Sequence, residues 1–165
     1  MSILSQLKRA LPKNTVIFGS ENTRPFECDG LSVYKQEPLA VVLPNNITQI
    51  KKVLEICRKN NTPIVTRGAG TGLSGGATPL EGSVVLGFSK LTQIISIDKE
   101  KKIAVLEPGV RNLAISEAVE EFGLYYAPDP SSQIACTIGG NVAENAGGVH
   151  CLKYGLTVQN VEEIK

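Results

Sequence analysis

The sequence has 165 residues, of which 42% are hydrophobic and 20% charged, as in an ordinary globular domain. Lys and Arg together number 17 and Asp and Glu 16, so the chain lacks the basic excess of nucleic-acid-binding proteins. The four cysteines, Cys28, Cys57, Cys136 and Cys151, form no C-x-x-C pair. That spacing argues against zinc and iron–sulfur sites and predicts free thiols.

The first residues predict a short amphipathic helix over 3–11, because apolar and polar residues are interleaved there. This pattern differs from the apolar stretch of a signal peptide. No apolar run approaches the roughly 20 residues of a membrane-spanning helix. We therefore expect a cytoplasmic protein, with any membrane association at the inner face made through a partner.

Residues 39–67 predict a strand, a helix and a second strand. Pro38 and Pro44 bracket the first strand, and Asn46 is expected to cap the helix with Gln49 at capping-box spacing. The apolar stripe expected on the buried face of this helix consists of Ile47, Ile50, Leu54 and Cys57.

A glycine-rich loop, RGAGTGLSGG, follows the second strand at residues 67–76. Glycines adopt positive φ at little cost, and successive N–H groups in such a loop can converge on an anion. Arg67 adds a charge suited to phosphate. A turn and a strand follow instead of a helix, and no Gly-Lys-Ser/Thr is present, which argues against Rossmann and P-loop sites. The pattern favours a backbone site for a dinucleotide pyrophosphate; a tight turn without a ligand is the alternative.

After the loop the pattern predicts three short strands, at 83–88, 93–97 and 102–106, with a polar turn at 98–101. Asn112 is expected to cap a helix that ends at Gly123. The residues expected to face inward from this helix are Leu113, Ala114, Ala118, Val119 and Phe122.

A second stretch of small residues and amides covers 127–148. Thr137, Asn141 and Asn145 could supply hydrogen bonds to phosphate, ribose or a heteroaromatic edge. The two asparagines are four residues apart, so one helix face could present both. Amides that cap backbone groups are an equally good interpretation. For His150, the only histidine, we favour a structural or surface role, since nothing near it in sequence is an obvious partner.

The two glycine-containing stretches together resemble the flavin-binding domain of the vanillyl-alcohol oxidase and p-cresol methylhydroxylase family. The runs 128–132, 137–148 and 153–155 look like its glycolate oxidase and D-lactate dehydrogenase branch. The resemblance covers about residues 38–165 and extends to the N-terminal helix. Residues 1–37 are expected to form this helix and a lead-in to the domain. It implies an α+β fold, a p-cresol methylhydroxylase-type FAD-binding domain with a βαβ subdomain and a second, mostly antiparallel, incomplete α/β subdomain.

The resemblance also implies FAD held without a Rossmann motif, between the two subdomains. No histidine occurs in the first loop, so we expect noncovalent FAD; His150 and Cys151 are the only nearby candidates for a covalent link. No metal ligand is implied. The cofactor-binding residues that the resemblance implies are Arg67, Gly68, Ala69, Gly70, Thr71, Gly72, Ser74, Gly75, Ser132, Thr137, Gly139, Gly140, Asn141, Asn145 and Gly148.

The implied reaction is oxidation of a 2-hydroxy acid, glycolate first and D-lactate as the alternative, by hydride transfer to FAD. An iron–sulfur subunit is the implied electron acceptor. The catalytic and metal-ligand histidines of the family lie in a part that this chain lacks, so we expect no catalytic residue here and no activity from this segment alone. Two alternatives stay open: a nucleotide-binding module without chemistry, and a structural piece whose glycine loops only form turns.

Overall fold

The computed structural model describes residues 1–165, which divide into an N-terminal unit, residues 1–91, and a C-terminal unit, residues 92–165. No disulfide is present, and all four cysteines are free, as expected. None of the helices is both long and apolar enough to cross a bilayer.

The N-terminal unit is built on a four-stranded sheet. Its strands are β1 (Val16–Ile17), β2 (Ala40–Val42), β3 (Ile64–Arg67) and β4 (Val84–Gly87), in the order β1-β2-β4-β3. β4 lies between β2 and β3 and is parallel to both, whereas β1 is antiparallel to β2. The predicted strand–helix–strand unit is therefore present, but its two strands are separated by a strand that comes later in the sequence.

Three helices belong to this unit: α1 (Ile3–Ala10), the short α2 (Ser20–Thr23) and α3 (Ile47–Lys59). A 3-10 turn, Arg24–Phe26, follows α2. Asn46 caps α3 as predicted: its side chain accepts a hydrogen bond from the N–H of Gln49 at 3.0 Å. Leu7 and Leu11 share one hydrophobic core with residues of β2, α3 and β4, so the N-terminal helix is part of this core.

The buried face of α3 differs from the predicted stripe. Val53, Ile56 and Cys57 are buried, whereas Ile47 is 64% exposed and Leu54 is 45% exposed. Burial raises the pKa of the Cys57 thiol, because charge is disfavoured away from water. The predicted stripe was correct at Ile50 and Cys57 but wrong at Ile47 and Leu54, and it left out the buried Val53 and Ile56.

The α3 result gives a direct stability test. We expect Val53→Ala to lower the free energy of unfolding by about 1.5–2.5 kcal/mol, from lost burial and a residual cavity. Leu54→Ala removes a larger side chain from a half-exposed position and is expected to cost less than about 1 kcal/mol. Urea unfolding of both variants measures the difference. A larger loss for Leu54→Ala would mean that the helix is rotated about its axis.

The C-terminal unit begins with an antiparallel hairpin, β5 (Ile94–Asp98) and β6 (Ile103–Leu106). At its turn, the N–H of Lys101 donates to the Asp98 carboxylate at 3.0 Å. Three helices follow: α4 (Asn112–Val119), α5 (Ile138–Glu144) and α6 (Cys151–Tyr154). Short 3-10 turns lie at Glu120–Phe122 and Thr157–Asn160.

Two expectations for α4 need correction. Arg111, not Asn112, is the cap residue, and the Asn112 side chain is buried at 1% exposure. Phe122 is 40% exposed and lies beyond the helix, while Ile115 and Val119 are buried. Gly123 ends this region with φ +67°, as the sequence predicted.

Candidate functional site

The glycine-rich loop starts where β3 ends, at Arg67. Gly70 has φ +73° and Gly75 φ +76°, conformations that side-chain-bearing residues rarely adopt. β3 is parallel to β4, so the loop leaves the sheet at a carboxyl end, the side where α/β sheets bind ligands.

Backbone donors just after the loop bond within the N-terminal unit. The N–H of Thr78 donates to the Gly75 carbonyl, and the N–H of Ala77 donates to Asp29 Oδ2 at 3.4 Å. A run of consecutive N–H groups makes no hydrogen bond within the chain: Gly68, Ala69, Gly70, Thr71 and Gly72. Such a run is suited to an anion, because each donor otherwise has only water as a partner.

Arg67 is half-buried and folds back against its own loop. Its Nη1 donates to the carbonyl oxygen of Cys28 at 2.6 Å, and its guanidinium lies 5.6 Å from the centre of the Phe26 ring. A Cβ on Gly70 would collide with this guanidinium. Burial lowers the pKa of Arg67, and nearby Asp29 opposes that effect. At least one arm of the fork expected for phosphate is thus engaged with the protein backbone.

The sequence analysis missed Asp29 and Gly30. Asp29 is 6% exposed, and its Oδ1 accepts from the N–H of Leu31 at 2.9 Å. A Cβ on Gly30 would lie 2.7 Å from the carbonyl oxygen of Gly72, so the two backbones are in close contact. The Asp-Gly dipeptide is a turn signal in sequence, but nothing local relates it to a loop about 40 residues away.

In the C-terminal unit, Thr137 caps α5. Its Oγ1 accepts from the N–H of Gly140 at 3.3 Å, and its backbone pairs with Arg111 in an isolated antiparallel bridge. The carbonyl of Ser132 accepts from Ala135 and Cys136 and fixes the turn that leads to this cap. The Thr137 hydroxyl is therefore used by the helix.

Asn141 and Asn145 do not share an accessible helix face, contrary to the sequence-based hypothesis. Asn141 is 3% exposed, and its Oδ1 accepts from Asn112 Nδ2 at 2.9 Å. Asn145 lies just beyond α5 in the left-handed conformation, and its Oδ1 accepts from the N–H of Val158 at 3.0 Å. The alternative interpretation, amides that cap backbone groups, describes Asn145, whereas the Asn141 side chain bonds to another side chain.

Two glycines of this stretch are required by packing. A Cβ on Gly139 would lie 2.8 Å from Pro108 Cβ, and one on Gly148 would collide with Asp129. Gly140 is less restricted, with Thr137 Oγ1 at 3.3 Å as its nearest contact. Shortly after α5, the N–H groups of Gly147, Gly148 and Val149 make no hydrogen bond within the C-terminal unit.

His150 has a partner that sequence proximity did not reveal. Its Nδ1 lies 2.7 Å from Asp129 Oδ2, and its backbone N–H is 3.4 Å from Asp129 Oδ1. The imidazole also lies near the rings of Tyr125 and Tyr154, at 6.5 Å from each. The imidazole is exposed, and no cluster of metal-ligating side chains is present in residues 1–165.

Comparison with known proteins shows that most of the chain is an FAD-binding domain. Residues 38–165 match the family model described as FAD binding domain. The chain is 56% identical over 164 residues to glycolate oxidase subunit GlcD of Escherichia coli (strain K12), covering 99% of this chain and 33% of that protein. It is 35% identical to D-lactate dehydrogenase of Anaerostipes hadrus, covering 94% of this chain and 32% of that protein. The chain thus spans about a third of the length of these relatives.

Solved structures show the same fold. p-Cresol methylhydroxylase with substrate bound superposes with a TM-score of 0.76 at 25% identity, over 87% of this chain and 29% of that one. Alkyldihydroxyacetonephosphate synthase gives a TM-score of 0.82 at 19% identity, over 93% of this chain and 33% of that one. The predicted α+β, p-cresol methylhydroxylase-type fold is confirmed. The match over residues 38–165 places this chain in the FAD binding domain family.

Proposed function

We propose that this chain is the FAD-binding part of an oxidoreductase that converts a 2-hydroxy acid, glycolate in the first place, to the 2-oxo acid. The observation that carries the proposal is the run of five unpaired N–H groups, Gly68 to Gly72, in a chain of the FAD binding domain family. The 56% identity to a glycolate oxidase subunit over nearly the whole chain supports the substrate class.

The loop fits the pyrophosphate of FAD on physical grounds. The N–H groups of residues 68–72 make no hydrogen bond within the chain, and the oxygens of a pyrophosphate are anionic acceptors. Gly70 at φ +73° lets the backbone bend so that neighbouring N–H groups approach one anion. Arg67 places a positive charge at the start of the loop while its guanidinium holds the Cys28 carbonyl. This chain's part is therefore to bind and orient the cofactor, which when bound accepts the hydride.

The residues proposed to contact FAD follow the sequence analysis. The loop contributes mainly N–H groups, and Ser132, Thr137 and the glycines around α5 line the second contact region. Since the side chains of Asn141 and Asn145 are already hydrogen-bonded, we propose that those positions act through backbone or packing. Noncovalent attachment is supported by the absence of histidine and cysteine from residues 67–76.

D-Lactate is the second candidate substrate, supported by the 35% identity to a D-lactate dehydrogenase. We further propose that an iron–sulfur subunit accepts the electrons. The name of the 56% identical relative, a subunit of glycolate oxidase, supports a multi-subunit enzyme.

The full-length protein tests the proposal through its visible absorption spectrum. After incubation with FAD and desalting, we expect a flavin spectrum that bleaches under anaerobic conditions on addition of glycolate. Bleaching by D-lactate alone would favour the second candidate. A stable flavin spectrum that no 2-hydroxy acid bleaches would leave FAD binding in place and contradict the proposed reaction. Acid precipitation should release all flavin into the supernatant if the attachment is noncovalent.

A further inference from the structure

Residues 28–31, here called the brace, contact the glycine-rich loop at three separate points. The Cys28 carbonyl accepts from Arg67 at the start of the loop, at 2.6 Å. Gly30 packs against its middle, where a Cβ would lie 2.7 Å from the Gly72 oxygen and 3.0 Å from the Thr71 oxygen. Asp29 Oδ2 accepts from Ala77 just after its end, at 3.4 Å.

Asp29 is the centre of the brace. Its carboxylate is 6% exposed, and each oxygen has its own backbone donor, Leu31 for Oδ1 and Ala77 for Oδ2. Burial of a carboxylate is costly unless it is hydrogen-bonded or close to a positive charge. Asp29 has both, because Arg67 is close enough for the Asp29 carboxylate to act against the lowering of the guanidinium pKa by burial. The sequence match to the FAD binding domain family begins at residue 38, after the brace.

A loop with five glycines among ten residues has much conformational freedom to lose when it binds a ligand. Contacts that order the loop beforehand remove that cost from the binding step. We propose that Asp29 is a positioning residue that pre-orders the loop for the FAD pyrophosphate, and this rests on the proposed function of the loop. Asp29 does not itself contact the cofactor in this proposal, because both of its oxygens are occupied by the protein backbone.

The test is Asp29→Asn in the full-length protein, which preserves shape but leaves one backbone donor without an acceptor. Asp98→Asn is the matched control, since Asp98 also accepts a backbone N–H, from Lys101 at 3.0 Å, in an exposed hairpin turn. We expect the Kd for FAD to rise about 10-fold or more in Asp29→Asn and to stay unchanged in Asp98→Asn. At saturating FAD, kcat should match the parent protein, because the formed loop is the same.

Tryptic cleavage after Arg67 in FAD-free protein gives a second readout that does not depend on cofactor binding. In Asp29→Asn, cleavage of the Arg67–Gly68 bond should be several-fold faster than in the parent protein, and in Asp98→Asn it should be unchanged. Unchanged cleavage and unchanged Kd would overturn the proposal. If the parent protein binds no FAD, the proposed function fails, and the cleavage rate still decides whether Asp29 orders the loop. Gly30→Ala serves as the second variant if Asp29→Asn does not fold, with the same expected results.

Discussion

Gly70→Ala in the full-length protein is expected to weaken FAD binding by about 10-fold or more. Gly70 has φ +73°, which costs a residue with a Cβ roughly 1–2 kcal/mol, and the new Cβ would displace the Arg67 guanidinium. Both the changed backbone conformation and the displaced guanidinium would move the loop N–H groups out of the arrangement in which they can bind one anion. Fluorescence titration of the apoprotein with FAD measures the effect.

Gly82→Ala is the matched control for this prediction. Gly82 also has positive φ, +69°, but nothing lies within 4 Å of a Cβ built there. Both variants therefore carry backbone strain, and both should lose about 1–2 kcal/mol of stability. Only Gly70→Ala should lose FAD. Equal loss of FAD in both variants would show that general destabilisation explains the effect, and wild-type affinity in Gly70→Ala would contradict the assignment of the loop.

Asn112→Ala is expected to produce the largest loss of stability in the C-terminal unit, about 2–5 kcal/mol. Asn112 Nδ2 donates to the Pro128 carbonyl and to Asn141 Oδ1, both at 2.9 Å, in a buried setting. Its removal leaves both acceptors without this donor away from water, and each such group costs about 1–3 kcal/mol. Thermal and urea unfolding of the FAD-free protein measure the loss.

Asn160→Ala is the control that tests whether burial, and not the number of hydrogen bonds, determines the loss of stability in Asn112→Ala. The Nδ2 of Asn160 also donates to two carbonyls, those of Tyr154 and Leu156, at 3.0 and 2.9 Å, but this residue is exposed. Water can replace it, so we expect a loss of about 1 kcal/mol or less. Similar losses in the two variants would mean that the Asn112 network is not shielded from solvent.

Local sequence was sufficient to predict features whose contacts all lie within one short segment. Asn46 caps α3 as predicted, although the Gln49 side chain accepts from the N–H of Asn45 and not from that of Asn46. Gly123 adopts its predicted left-handed conformation. The hairpin of β5 and β6 also forms where a polar turn joins two apolar runs. These features depend on residues a few positions apart, so their physical cause is visible in the sequence.

The buried faces of helices were harder to predict from sequence. A helix with apolar residues on several sides does not by itself specify which side packs against the core. α3 buries Val53 and exposes Leu54, and that choice depends on where α1 and the sheet lie. The order β1-β2-β4-β3 has the same origin: β4 pairs between two earlier strands, which no local pattern encodes.

The sequence by itself determined the glycine loop, the resemblance to FAD-binding domains and the Asn46 cap of α3, since each follows from residue types at short spacing. Only the tertiary structure decided which hydrogen-bond partner each of these polar groups has. It directed Arg67 to the Cys28 carbonyl, buried Asn141 against Asn112 and paired His150 with Asp129. These partners are 39, 29 and 21 residues apart. Buried polar groups must find partners wherever the fold supplies them, so their roles depend on the complete chain.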